Sequence, residues 1–135
     1  QSRSSAASDV YKRQKKYIVT RIESYVTPGF PDCLIYHNDV GFFTVELKVV
    51  RRNKKGVGKV SISPFQMAWN VLHMIHGAPV FILIHDPGRG LTKLFPASKL
   101  HKLRDKDYDS VDGELWIGEL GPGFAAELPK LLKLP

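Results

Sequence analysis

Apolar and polar side chains alternate along residues 41–50 (GFFTVELKVV), with Phe43, Val45, Leu47 and Val49 on one side and Thr44, Glu46 and Lys48 on the other. A period of two in a run rich in Phe, Val and Thr predicts a β-strand whose apolar face packs on a helix layer. The shorter apolar run at residues 33–36 (CLIY) reads as a second strand, and residues 37–41 (HNDVG) carry turn chemistry, so the two should form an antiparallel hairpin. Placing Asp32 opposite Glu46 brings His37 opposite Gly41 and leaves Asn38, Asp39 and Val40 as a three-residue loop before a glycine able to adopt positive φ. Both carboxylates then share one face. A slip of one residue would separate them unless a bulge restored the parity. Pro31 cannot donate to a ladder and suits the first position of a strand.

Around this hairpin, Ile18, Ile22 and Tyr25 recur at helical spacing and Pro28-Gly29 would end that helix. Ser63 and Pro64 form a helix start, as N-cap and first position, and Gly77 a stop. The expected buried face of that helix is Phe65, Ala68, Trp69, Leu72 and Ile75. Gln66, Asn70 and His73 form a narrow polar stripe, which for Asn70 and His73 reads as the solvent side. Residues 79–85 (PVFILIH) suit the middle of a covered sheet. A turn at residues 87–90 leads to a strand at 91–95, followed by a helix at 97–104, a strand at 114–120, and a short helix at 125–134 interrupted by Pro129. The order αββαβ predicts an α/β fold, a central mixed sheet flanked by helices.

A chain of 135 residues suits one domain, here residues 15–135, with 96–135 as a C-terminal extension. Residues 1–14 give no core pattern; SSAASDVYKRQ resembles translated adapter sequence and is set apart from the fold, the alternative being a flexible basic arm. If it is adapter, the native chain begins elsewhere and the helix bearing Glu23 is truncated. Lys and Arg number 20 against 13 Asp and Glu, a net charge of +7 that favours a polyanionic partner. Arg51, Arg52, Lys54, Lys55 and Lys59 crowd into a Gly-containing loop directly after Lys48, whereas residues 105–119 are acidic. Such runs are often no more than solvated surface, but this one adjoins the carboxylates, which favours phosphate contact. Cys33 is the only cysteine, so an internal disulfide and a Cys-based zinc site are excluded, and the thiol is expected to be buried and inert. No run reaches the length of a membrane span and the N-terminus lacks the apolar centre of a signal peptide, so the expectation is a cytoplasmic protein. The histidines lack metal-ligand spacing, and no serine lies in a nucleophile elbow.

Asp32, Glu46 and Lys48 are the residue types that phosphodiester hydrolysis needs. The anionic diester repels hydroxide, so a hard cation must neutralise phosphoryl oxygens and lower the pKa of the attacking water. Mg²⁺ takes oxygen ligands and keeps several waters, so one or two carboxylates suffice. A lysine beside it supplies a compact positive charge for a phosphate oxygen or the water.

With GFPDCLI, then FTVELK, then SPFQ opening a helix, residues 18–85 resemble the PD-(D/E)xK nuclease superfamily, within it the VRR-NUC and phage Holliday-junction-resolvase-like branch. A bare D…ExK pattern is weak; the Gly-Phe-Pro-Asp turn and the Gln helix add specificity. The resemblance implies a restriction-endonuclease-like core and a DNA endonuclease of repair or recombination, possible substrates being junctions or flaps, in a bacterial or phage-infected cell. It also implies Mg²⁺ or Mn²⁺ on Asp32, Glu46 and the backbone carbonyl of Leu47, with Lys48 positioning the water. Glu23 would support a second metal or its water shell, and Gln66 would fix a carboxylate or a phosphate oxygen. Resolvases cut two strands symmetrically, which calls for a homodimer. Two other classes compete: a non-catalytic nucleic-acid-binding domain that keeps this fold, and a basic interaction protein with an accidental motif, which would have no shared metal pocket.

Overall fold

The computed structural model describes residues 17–22 and 27–132. Six strands form one mixed sheet in the order β1-β2-β3-β6-β7-β8: β1 (Tyr17–Arg21), β2 (Cys33–His37), β3 (Gly41–Val49), β6 (Val80–Asp86), β7 (Leu91–Pro96) and β8 (Trp116–Gly118). A separate two-stranded ribbon, β4 (Arg51–Arg52) with β5 (Gly58–Lys59), follows β3. Among the described residues the α-helices are α1 (Pro64–Ile75), α2 (Leu100–Asp105) and α3 (Pro122–Leu132), with 3₁₀ turns at Ala97–Lys99 and Tyr108–Ser110.

The hairpin forms in the register set by its loop: Cys33 lies opposite Val45 and His37 opposite Gly41, whose φ is 88°. All other pairs in the sheet are antiparallel except β3 with β6, which run parallel and are joined through α1 as a crossover. Strand parity sorts the core into two layers. Val80, Ile82 and Ile84 point to the face covered by α1 and α2, where Met67, Phe95, Leu100, Leu103 and Tyr108 join them. Phe43, Val45, Phe81 and Leu94 point to the opposite face, which Leu128 and Leu132 of α3 close. Residues 96–135 thus contribute β8 to the main sheet and α3 to its cover.

The first element departs from expectation. Tyr17–Arg21 is a strand, antiparallel to β2, where a helix was expected. The spacing of Ile18 and Ile22 fits a helix, but Ile, Val and Thr at consecutive positions 18–20 are stiff at χ1, and the free edge of β2 offers a ladder that a lone helical turn lacks. Glu23 lies outside the described residues, as do residues 1–14.

The face of α1 also departs. Met67 and Asn70 are buried, with Val71 and Met74 packed beside them, whereas Phe65, Leu72 and Ile75 are 63%, 53% and 67% exposed. Asn70, expected in solvent, is instead wholly enclosed. His73 is half-buried and stacks on Trp69 with ring centroids 3.6 Å apart.

The basic segment is an ordered ribbon. Asn53 Oδ1 accepts from the backbone N–H groups of Lys55 and Val57, and Gly56 turns with φ 82°. Arg52 is committed within the fold: its guanidinium donates to Asp86 at 2.6 Å, to Asp109 at 2.8 and 3.0 Å, and to the Gly56 carbonyl at 2.9 Å. Asp86 is buried at the end of β6, so this fork ties the ribbon to the central sheet. Arg52→Ala is expected to lower the melting temperature by leaving the buried Asp86 carboxylate with only the Gly88 N–H and the more distant Arg89, and Arg52→Lys to recover only part of the loss because an ammonium cannot bridge two carboxylates as a fork does. Thermal denaturation followed by circular dichroism measures both; an unchanged midpoint for Arg52→Ala would refute the clasp.

Candidate active site

β2 stops at Cys33 while β3 continues to Val49, so the end of β3 has one flank without a ladder partner from β2. Asp32 fills that flank. Its Oδ2 accepts the Leu47 N–H at 2.9 Å, replacing the missing backbone acceptor. Continued two residues beyond the Cys33–Val45 pair, the hairpin register would set Leu47 opposite Pro31, whose nitrogen has no hydrogen to donate. The N–H and C=O of one strand residue point the same way, so the Leu47 carbonyl lies on the same edge of β3 as Asp32.

Glu46 and Lys48 project from the face covered by α1, as period two requires. The helix meets them with Gln66. Ser63 caps α1 by accepting from the Gln66 N–H at 3.1 Å, and Gln66 Oε1 accepts from the Ser63 N–H at 3.0 Å, a reciprocal capping box. The same Oε1 accepts from Lys48 Nζ at 2.8 Å, and Gln66 Nε2 donates to Glu46 Oε1 at 2.9 Å. A flipped amide would set its NH₂ against an ammonium and a backbone N–H, so these partners fix its orientation. Gln66 therefore faces inward, and one side chain holds both Glu46 and Lys48; Lys48 Nζ lies 3.9 Å from Glu46 Oε1.

Gly29 seats the preceding loop. Its φ is 84°, and a Cβ there would collide with the Phe65 carbonyl, so only glycine lets the Gly-Phe-Pro-Asp turn lie on the first turn of α1. Phe30 packs on Trp69 with ring centroids 5.0 Å apart. The turn that presents Asp32 is thereby fixed to the helix that presents Gln66.

The electrostatics are those of a site short of positive charge. Glu46 is 2% exposed, and burial, followed by the negative charge of Asp32, pushes its pKa up to about 8 despite the opposing pull of Lys48. Among the described residues its Oε2 is buried without a partner while the carboxyl is ionised, and a protonated Glu46 would donate to the Asp32 carboxylate beside it. Two carboxylates, one of them carrying the unpartnered Oε2, and a backbone carbonyl on the same strand edge make an all-oxygen donor set suited to a hard divalent cation, so the residues present fit Mg²⁺ or Mn²⁺. Among the described residues no group of three or more His, Cys, Asp or Glu side chains is placed to hold a metal, and the site described here brings together Asp32 and Glu46.

The remaining sequence candidates divide. Arg51, Lys54, Lys55 and Lys59 are exposed on the ribbon, whereas Arg52 is occupied by Asp86 and Asp109. Cys33 is buried, and burial pushes its thiol pKa up, as suits an inert core residue. The polar stripe puts Asn70 on the solvent side, whereas it is enclosed, and its spacing of four from Gln66 carried the signal: a helix that turns Gln66 toward the sheet brings Asn70 round with it. Among the described residues, no helix is long and apolar enough to cross a membrane.

Comparisons of the chain with protein-family models, with curated proteins and with solved structures return no match.

Proposed function

We propose that this protein is a metal-dependent nuclease that hydrolyses DNA phosphodiester bonds, with a restriction-endonuclease-like core of the PD-(D/E)xK type. One observation carries the reading: Asp32, Glu46, Lys48 and Gln66, from a turn, a strand and a helix, are tied into a single constellation at the end of β3. Asp32, Glu46 and the Leu47 carbonyl would hold Mg²⁺ or Mn²⁺, which when bound neutralises phosphoryl oxygens and acidifies a water. Lys48 brings its ammonium to the same point, where it can meet a phosphate oxygen and the charge that develops on it. Gln66 keeps the carboxylate and the ammonium apart and aligned. Junctions and flaps are the substrates we favour, cut by a homodimer.

A cleavage panel tests this: four-way junction, flap, duplex and single-stranded DNA, each with Mg²⁺, with Mn²⁺ and with EDTA. Metal-dependent cutting of at least one substrate supports the reading, and no cutting of any substrate with either metal sinks it.

The ribbon should supply affinity without sequence preference, because its exposed Arg51, Lys54, Lys55 and Lys59 are suited to phosphates rather than base edges. Each phosphate contact contributes about 0.9 to the slope of log K against log salt on duplex DNA. Arg51→Ala is expected to lower that slope by about 0.9 and to weaken all sequences alike. Fluorescence anisotropy across a salt series measures it, and an unchanged slope would mark Arg51 as solvated surface.

A further inference from the structure

Thr44 and Glu46 stand two residues apart on one face of β3, and Gln66 and Asn70 stand one turn apart on α1. The helix runs back from Lys48 toward Val80, the residue paired with Thr44, so Asn70 follows Gln66 along the helix as Thr44 precedes Glu46 along the strand. Gln66 and Glu46 are joined directly. Below them Asn70, fully enclosed, donates Nδ2 to the Gln66 carbonyl at 2.8 Å and leaves its Oδ1 without a partner. Thr44 Oγ1 and Glu46 Oε2 are likewise buried and unpartnered. These three oxygens share the buried face with Met67, Val80 and Ile82, a layer in which the Tyr108 hydroxyl is a fourth buried oxygen without a partner among the described residues.

Unpaired buried polar groups lose their hydration with nothing in return, whereas apolar groups of similar shape at the same positions would be neutral or stabilising. The Thr44 hydroxyl and the Asn70 carbonyl oxygen thus cost the fold stability, offset in part for Asn70 by its bond to the Gln66 carbonyl. The Asn70 carbonyl oxygen and the Thr44 hydroxyl are also partners suited to a single internal water. We propose that Thr44 and Asn70 are positioning residues, which through this inner polar network and the Gln66 backbone fix the rotamer of Glu46 and set the affinity of the site for a divalent cation. The inference rests on the metal site of the proposed function.

Mn²⁺ titration by isothermal calorimetry, with melting curves of the metal-free protein, tests it on the wild type, Asn70→Leu, Thr44→Val, Thr44→Ser and Asp32→Ala. Asn70→Leu and Thr44→Val are expected to keep or raise the melting temperature while weakening Mn²⁺ binding ~10–100-fold, the range for residues that orient metal ligands. Thr44→Ser, which retains the hydroxyl, should bind as the wild type does. A lowered melting temperature with unchanged Mn²⁺ affinity, or no change in either, would overturn the proposal in favour of a structural role. If Asn70→Leu fails to fold, the Thr44 pair decides alone. Loss of Mn²⁺ in Asp32→Ala with normal binding in Asn70→Leu and Thr44→Val defeats this inference only. No Mn²⁺ binding by the wild type defeats the metal site, and this inference with it.

Discussion

Asp32→Ala and Glu46→Gln should each reduce metal-dependent DNA cleavage by on the order of 10³-fold or more, while leaving DNA binding in Ca²⁺ or EDTA close to wild type. The size follows from the several kcal/mol of charge stabilisation that a bound cation contributes, at about 1.4 kcal/mol per tenfold in rate. Binding survives because the exposed cations of the ribbon lie on a separate element from the carboxylates. Glu46→Gln is preferable to alanine, since an amide can still meet Gln66 and the fold loses no volume. Single-turnover cleavage at saturating Mg²⁺, beside anisotropy without Mg²⁺, separates the effects. Near wild-type cleavage by either variant would refute the mechanism. Loss of binding together with cleavage would show that the carboxylates serve the fold instead.

The second large effect is on stability. Glu46 titrates near its ordinary value of 4.5 in the unfolded chain and at about 8 in the folded protein, so between these pH values the folded state holds a proton that the unfolded state has released. Stability from this group is therefore full below about pH 4.5, declines as pH rises, and is spent above about 8, a change on the order of a few kcal/mol. The metal-free protein should lose melting temperature between pH 5 and 8, where most proteins change little. Glu46→Gln should flatten that profile and exceed the wild type at pH 8. Saturating Mg²⁺ should also restore the loss, because a cation between Asp32 and Glu46 favours the ionised carboxylate. Melting curves of both proteins across that range, with EDTA and with Mg²⁺, measure this; parallel profiles for the two would show that Glu46 ionises freely in the fold.

The hairpin was legible because two constraints coincide. Alternation along β3 fixes which residues share a face, and three residues between His37 and Gly41 fix the register, so the juxtaposition of Asp32 with Glu46 follows from residue numbers. The inner strand β6 was legible for its unbroken apolar run. The rotation of α1 was not. Apolar residues occur on several sides of PFQMAWNVLHMI, so the pattern offers two faces, one through Phe65, Leu72 and Ile75 and one through Met67, Val71 and Met74. What selects the second is polar: Ser63 caps the helix, Gln66 reaches Glu46 and Lys48, and Met67 and Asn70 are then carried inward. The fate of Arg52 was hidden for another reason. Its partners Asp86 and Asp109 lie 34 and 57 residues away, and local charge patterning carries no information at that range.

The bond from Asp32 to the Leu47 amide also gives the molecule an internal reporter. Most strand amides are held by a neighbouring backbone and respond only when the sheet opens, whereas this one is held by the carboxylate at the heart of the site. Its proton resonance and its exchange with solvent therefore report on the Asp32 side chain, so that a single nuclear magnetic resonance signal would register the proposed cation without substrate or turnover.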